Sequence, residues 1–179
     1  FAISTVPVAP KSRSFGEAPA PGQAISTATS GPYGGNMVYR GFCAGTEVMF
    51  PVSENGALFF LGDVHASQCD GEIVGTGIET SAEVQFTVQV AKKQAPRWPR
   101  GRNASEFFTI GNARPLDQAL QHATTEMLDW LMQEHGLDEV SASHIMGQFV
   151  RYDVANVFNP AYSVVCRVAF SSVADVLQS

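Results

Sequence analysis

The sequence predicts an α+β protein with a sandwich-like, mostly antiparallel β-rich lobe, followed by a smaller lobe of helices and strands. Between residues 39 and 91, short runs rich in β-branched and aromatic residues alternate with turn residues. Between residues 115 and 149, apolar residues recur at helical spacing instead. These patterns predict an extended N-terminal arm over residues 1–35, the β-rich lobe over 36–95 and the α+β lobe over 96–179.

The composition limits the possible partners and locations. A chain of 179 residues with 45% hydrophobic residues can bury one sizeable core. Its 11 basic and 17 acidic residues give a net charge of −6, which repels a phosphate backbone, so we expect no nucleic-acid partner. No run of about 18 apolar residues occurs, so we expect no membrane-spanning helix. Three cysteines without a CxxC pair favour a reducing, cytoplasmic location.

The arm and the β-rich lobe differ in their periodicity. The arm is rich in Pro, Gly, Ser and Ala without sustained periodicity, which predicts loops with at most short extended pieces. Four strands are predicted in the β-rich lobe: Thr46–Val52, Ala57–His65, Glu72–Glu79 and Ala82–Val90. The last one alternates strictly between apolar and polar residues over nine positions, which predicts a half-buried strand.

The α+β lobe begins with the strongest helical pattern in the chain. Pro115 suits the first turn of that helix and Gly136 suits its C-terminal cap. A shorter helix is predicted within Asp138–Phe149, with Val140 among its inward-facing residues. Two strands follow in "VRYDVANV" and "AYSVVCRVAF", while the Pro- and Arg-rich segment before the first helix is predicted to be a loop.

Chemically competent side chains are concentrated in "LGDVHASQCDGEIVGTGIE". Asp63 and His65 lie two apart in a predicted strand and therefore share a face. After a turn, Asp70 and Glu72 share a face of the returning strand, and Glu79 lies on the other face. Imidazole and carboxylate groups can hold a divalent cation, and an unligated carboxylate can move the proton of an activated water. The residues alone leave two interpretations open, a metal site or a polar turn.

Two stretches resemble the acetamidase/formamidase family. They are "GGNM" at Gly34–Met37 and "PVSENGALFFLGDVHASQCDGEIVGTGIE" at Pro51–Glu79, which are similar to the family pattern GGNMD, PV…GAL…GD-x-HA-x-QGDGE…T-x-IE. The helix end at Met127–Leu137 is similar as well, so the resemblance runs from about Gly31 to Phe170. It implies hydrolysis of a short aliphatic amide, such as formamide or acetamide, to a carboxylate and ammonia. It also implies a divalent metal, with zinc expected and calcium as the alternative.

The resemblance further implies which residues form the pocket. We expect Asp63 and His65 as metal ligands, with Glu79 as a third ligand or as a residue that orients one. Glu72 is the expected proton-shuttling base. The remaining pocket residues are Asp70 as a second catalytic carboxylate, Asn36 as a donor to the oxyanion, and Gln68 and Met37 as substrate contacts.

The chain also departs from the family pattern. Val38 replaces the aspartate of GGNMD, and Cys69 replaces a glycine. Family members are longer, and this chain begins near the middle of their pattern. We therefore expect a subunit or processed fragment that forms a homo-oligomer, or a hetero-oligomer with a chain supplying the missing N-terminal half. The alternative is a non-catalytic structural or binding subunit on the same scaffold.

Overall fold

The computed structural model of the chain describes residues 11–92 and 95–177. Every strand pairing in these ranges is antiparallel. The strands are β1 (Lys11–Gly16), β2 (Ser30–Gly31), β3 (Gly34–Asn36), β4 (Glu47–Met49), β5 (Phe60–Ser67), β6 (Ile78–Glu79), β7 (Arg100–Arg102), β8 (Glu106–Ala113), β9 (Arg151–Asn156) and β10 (Tyr162–Ala169). The N-terminal sheet has the order β2-β3-β1-β5-β6, and the C-terminal sheet has the order β4-β7-β8-β10-β9. The predicted α+β class is confirmed.

A long helix, α1 (Leu116–His135), packs on β8 and β10 of the C-terminal sheet. Its buried face includes Ala119, Ala123 and Leu131. Gly111 in β8 permits the close approach, since a Cβ atom there would lie 2.0 Å from the carbonyl oxygen of Ala119. As predicted, the helix begins after Pro115 and ends at Gly136, whose φ of 64° is the left-handed conformation that glycine tolerates.

The second helix, α2 (Glu139–Phe149), packs against α1, and α3 (Phe170–Leu177) follows β10. Asp138 caps α2, because its Oδ1 accepts a hydrogen bond of 2.8 Å from the backbone N–H of Ser141. The helix was predicted from its sequence, but the inward direction of Val140 was wrong: its side chain is exposed on the polar side of the first turn. In the described parts of the chain, no helix combines the length and apolarity needed to cross a membrane.

An aromatic core joins the two sheets. Phe108 of β8 is fully buried against Tyr39 and Phe42, with ring centroids 5.4 and 6.2 Å away, and Phe15 of β1 packs on Phe42 with centroids 4.6 Å apart. Edge-on aromatic pairs of this kind are favourable beyond the burial of their area. The core therefore fixes β1, and with it the neighbouring strand β5, relative to the C-terminal sheet.

Part of the predicted arm belongs to the N-terminal sheet. Residues 11–16 form β1, which lies between β3 and β5 at the centre of that sheet, and Ser30–Gly31 forms its edge. The arm has no sequence periodicity because its strands are short and are held by hydrogen bonds to distant partners. Residues 1–10 of the predicted arm and residues 178–179 of the predicted C-terminal lobe lie outside the described residues.

Three strand predictions need correction. Residues 82–90 alternate between apolar and polar residues, which predicts a strand. In the structure they pair with no strand of the described chain, and their apolar side chains are exposed. Only Ile78–Glu79 of the predicted strand Glu72–Glu79 forms a ladder, because Gly75 and its neighbours turn the chain first. Strands β7 and β8 were missed, because β8 is buried on nearly all its length and lacks the alternation of a half-buried strand.

Candidate metal centre

The candidate centre lies where β5 meets β6. In their antiparallel pairing His65 is opposite Glu79, so both side chains start from neighbouring backbone positions. Gly77, just before β6, lets the imidazole ring lie against the backbone, since a Cβ atom there would be 2.5 Å from Nδ1 of His65. Asp63 has a φ of 57°, which interrupts the regular extended geometry of β5 two residues before His65.

The three side chains converge on one point. Nε2 of His65 lies 2.9 Å from Oδ1 of Asp63 and 2.9 Å from Oε1 of Glu79. One ligand atom from each of the three side chains falls within 4.8 Å of the others. The imidazole is 1% exposed, whereas the carboxylates are 28% and 59% exposed, so the centre has a buried base and opens to solvent on its acidic side.

Gln68 fixes which ring nitrogen of His65 carries a proton. The amide Nε2 of Gln68 donates to the carbonyl oxygen of Val38 at 2.9 Å, so its Oε1 is the atom that faces Nδ1 of His65, at 2.7 Å. Because Oε1 is only an acceptor, Nδ1 must be the donor. Nε2 of His65 then points at two carboxylate oxygens, an arrangement that a second ring proton or a bound cation between them would stabilise.

Asp63 is held on its other side by β1. Oγ of Ser14 lies 2.9 Å from Oδ2 of Asp63 and 2.8 Å from Oδ1 of Asn36. Its single hydrogen can be donated to one of these oxygens at a time. Asn36 thus turns an acceptor toward the centre, while its Nδ2 donates to the carbonyl oxygen of Ala28 at 3.4 Å. In this orientation Asn36 supports Ser14, and the expected role of Asn36 as an oxyanion donor stays a prediction.

Glu72 is a buried carboxyl group beside the centre. It lies in a short 3-10 turn, Asp70–Glu72, and is 7% exposed. Burial raises the pKa of Glu72 above its ordinary value of 4.5, and the negative charges of Asp63 and Glu79 raise it further, while His65 and Arg13 lower it. A raised pKa makes this carboxyl group a better proton acceptor than an exposed glutamate.

The structure does not bring every predicted residue to the centre. Asp70 is half exposed and forms an ion pair with Nε of Arg40. Met37 is fully buried in the aromatic core, so its side chain packs against other apolar residues rather than facing a substrate. Gln68 contacts His65 and Val38, which makes it a residue that orients the imidazole. The catalytic role expected for Asp70 and the substrate contacts expected for Gln68 and Met37 therefore stay predictions, and these positions do not support them.

Two residues of β1 were missed by the sequence analysis. Ser14 holds Asp63, and Arg13 is a 1% exposed cation whose charge acts together with those of Asp63 and Glu72. Both lie in the segment predicted to be an arm. A serine and an arginine in a segment without periodicity carry no local signal, and only the pairing of β1 with β5 brings them to the site.

Left-handed backbone conformations cluster at the same place. Of the five non-glycine residues with positive φ in the described chain, three lie here: Val38, Asp63 and Glu72, with φ values of 56°, 57° and 40°. The other two, Ala57 and Leu58, lie in the turn before β5. Such conformations cost on the order of 1–3 kcal/mol each and persist only where the surrounding structure holds them. Val38, Asp63 and Glu72 each take part in the centre, through a carbonyl oxygen that accepts from Gln68 or through a carboxylate.

The fold and the centre define an antiparallel α+β protein with a His-and-two-carboxylate cluster on a hairpin. Comparison with known proteins identifies the family. The sequence profile of the acetamidase/formamidase family matches residues 7–151. The chain belongs to the acetamidase/formamidase family.

Related proteins show how much of the family fold is present. Over 84 residues, 46% of this chain and 20% of the relative, it is 33% identical to an acetamidase of Mycolicibacterium smegmatis. An acetamidase structure from Bacillus halodurans superposes with a TM-score of 0.90 at 31% identity over 98% of this chain and 59% of that chain.

Two further solved structures agree with this picture. A predicted acetamidase/formamidase from Thermoanaerobacter tengcongensis superposes with a TM-score of 0.89 at 30% identity, over 98% of this chain and 58% of that one. An acetamidase from Yersinia enterocolitica gives a TM-score of 0.83 at 27% identity, over 99% and 52%. The chain therefore spans between half and three fifths of the length of these structural relatives.

Proposed function

We propose that this chain carries the metal-binding and proton-transferring part of an enzyme that hydrolyses a short aliphatic amide, such as formamide or acetamide, to a carboxylate and ammonia. The observation that supports this most directly is the position of Nε2 of His65, 2.9 Å from a carboxylate oxygen on each of Asp63 and Glu79. Membership of the family supports the substrate class.

We propose zinc as the cation, held by Asp63, His65 and Glu79. One imidazole nitrogen and two carboxylates form a donor set that zinc accepts, and three protein ligands leave a position open. Calcium is the weaker alternative, because it prefers a larger set of oxygen ligands without imidazole. When bound, a divalent cation supplies polarisation of a carbonyl oxygen and lowers the pKa of water.

Glu72 is the proposed base. Its ionised carboxylate takes a proton from the attacking water as the carbon–oxygen bond forms. It then gives that proton to the amide nitrogen as the carbon–nitrogen bond breaks, so the products are the carboxylic acid and ammonia. Their proton exchange in water gives the carboxylate and ammonium. The burial that raises the pKa of Glu72 brings the group closer to the value that both transfers need.

We also propose that the chain works in an assembly, as a homo-oligomer or with a second chain equivalent to the rest of the family fold. The chain spans 52–59% of its structural relatives, and residues 82–90 expose an alternating apolar face. Val84, Phe86 and Val88 are 41%, 54% and 62% exposed, as expected for a strand that pairs with another polypeptide. The unpaired state of Cys43, Cys69 and Cys166 supports a cytoplasmic location.

A non-catalytic subunit on the same scaffold is the second candidate. It is favoured by the ion pair between Asp70 and Arg40, which occupies one of the acidic groups of the hairpin. It is also favoured by Val38, an apolar residue where the family pattern has an aspartate. The two candidates differ in a measurable way, because only the first requires the centre for turnover.

The test begins with native mass spectrometry of the purified protein, to detect a second chain and bound metal. Ammonia release from formamide and acetamide is then measured on that material with zinc added and with a chelator. We expect release that the chelator abolishes and zinc restores. Glu72→Gln should lower the rate at least about 100-fold while zinc remains bound. Glu134→Gln, at an exposed position of α1 outside the centre, should not change it. Full activity in the Glu72→Gln protein, or activity insensitive to chelator, would contradict the proposal.

A further inference from the structure

Arg13 is a buried cation whose hydrogen bonds are not filled. Its side chain is 1% exposed, and neither Nε nor Nη1 has a hydrogen-bond partner among the described residues. A buried donor without a partner is costly, and the cost is larger for a charged group. Buried guanidinium groups are ordinarily matched by carboxylates in a fixed geometry. The structure therefore places an unsatisfied cation inside the fold.

This cation lies beside the candidate metal centre. Arg13 is in β1 between Ser12 and Ser14, which pair with Val64 and Gly62 of β5, so its backbone is opposite Asp63. The backbone carbonyl of Arg13 accepts a hydrogen bond of 3.1 Å from the N–H of Val38, the residue that also fixes Gln68. Arg13 is thus built into the same network that orients the imidazole and Asp63.

Charged groups near Arg13 change its pKa without forming an ion pair with it. Burial lowers the pKa of Arg13, and the positive charge of Arg40 acts in the same direction, while the carboxylates of Asp63 and Glu72 raise it. Neither carboxylate is within hydrogen-bond or ion-pair distance of Arg13 in the described structure. Nε and Nη1 are therefore left for an acceptor that the described residues do not provide.

We infer that Arg13 binds the oxygen of the amide substrate and, after hydrolysis, the carboxylate of the product. This inference rests on the proposed function and adds a binding residue to it. A guanidinium group donates to a carbonyl oxygen weakly and to a carboxylate strongly, so its preference grows as negative charge develops on that oxygen. The ligand class is a small carboxylate anion such as formate or acetate.

Binding of sodium acetate tests the inference without depending on turnover. Acetate is titrated into the zinc-loaded protein as purified, and binding is followed by isothermal titration calorimetry and by the line width of 13C-labelled acetate. We expect saturable binding to the natural protein and a loss of about tenfold or more in affinity for Arg13→Met, since a charge-assisted hydrogen bond is removed. Arg102→Met, which removes a surface arginine paired with Glu47, is the matched control and should bind acetate normally.

Each outcome decides the matter. Equal acetate affinity in Arg13→Met and the natural protein would overturn the inference, and so would absence of acetate binding to the natural protein. In either case ammonia release still reports separately on the proposed function. Thermal unfolding checks that each variant is folded. If Arg13→Met does not fold, Arg13→Lys decides instead, because lysine keeps the charge but loses the planar set of donors. We expect at least about a threefold loss for it, and unchanged affinity would refute the role of Arg13.

Discussion

Glu79→Gln provides a direct test of the proposed metal centre. The side chain of Glu79 is 59% exposed and accepts a hydrogen bond of 3.0 Å from Thr76, so an amide of the same shape does not disturb the core. It does remove one of the two carboxylates that face Nε2 of His65. Loss of a residue that only orients a metal ligand lowers metal affinity about 10–100-fold. Loss of a ligand itself should therefore lower the affinity at least about 100-fold.

The expected size follows from binding linkage. Zinc at 100 times its Kd stabilises the folded state by about 2.7 kcal/mol, and a variant with 100-fold lower affinity gains only about 0.4 kcal/mol at the same zinc concentration. For a chain of this size 1 kcal/mol moves Tm by about 2–4 °C. Zinc should therefore raise Tm by about 5–11 °C in the natural protein and by about 1–2 °C in Glu79→Gln.

Differential scanning fluorimetry with and without zinc measures both shifts. Glu134→Gln is the matched control, because it removes an exposed carboxylate in α1, outside the centre. Its zinc-induced shift should equal that of the natural protein. If zinc raised Tm equally in Glu79→Gln and the natural protein, the cation would not be bound by Glu79. If zinc raised Tm in neither, the second ring proton on His65 would explain the three converging side chains.

Three further predictions concern the fold. Burial raises the pKa of Cys166 to about 12, so at pH 8 a thiol reagent should modify only the exposed Cys43 and Cys69, and all three thiols after unfolding. Gly111→Ala places a Cβ atom 2.0 Å from a carbonyl oxygen of α1. In urea unfolding, the free energy of unfolding should fall by at least about 3 kcal/mol. A decrease below about 1 kcal/mol would contradict the close packing of α1 on β8. Asp138→Ala removes the cap of α2 and should lower the urea midpoint of unfolding, by less than Gly111→Ala does.

The sequence predicted the elements whose pattern is local. The helix that begins after Pro115 and ends at Gly136 has both its spacing and its end signals in consecutive residues. The strands around Asp153 and Cys166 alternate or are continuously apolar, and both form. The two-residue period of one strand predicts that Asp63 and His65 lie close together, but it does not predict the left-handed conformation that Asp63 adopts.

What the sequence did not reveal depends on long-range pairing. β1 is recognised only by its register with β3 and β5, which lie about 20 and 50 residues further along the chain. For that reason Ser14 and Arg13 were missed although both lie at the centre. Residues 82–90 show the opposite case, because their alternation predicts a strand while the described chain offers no neighbour to pair with it. A local sequence pattern predicts that one face of a strand is buried, but it does not identify the strand or helix that covers this face.

Three residues around the hairpin have backbone conformations that are costly in free energy. Asp63, Glu72 and Val38 adopt positive φ, where ordinary extended or turn conformations would satisfy a simple polar hairpin. Each strained residue is held by a contact that orients a charged group: Ser14 holds Asp63, Gln68 ties Val38 to His65, and the backbone of Gly71 accepts from Val157 beside Glu72. The cation that we propose for Asp63, His65 and Glu79 would account for such an arrangement, because its binding free energy would offset strain that the folded chain otherwise carries.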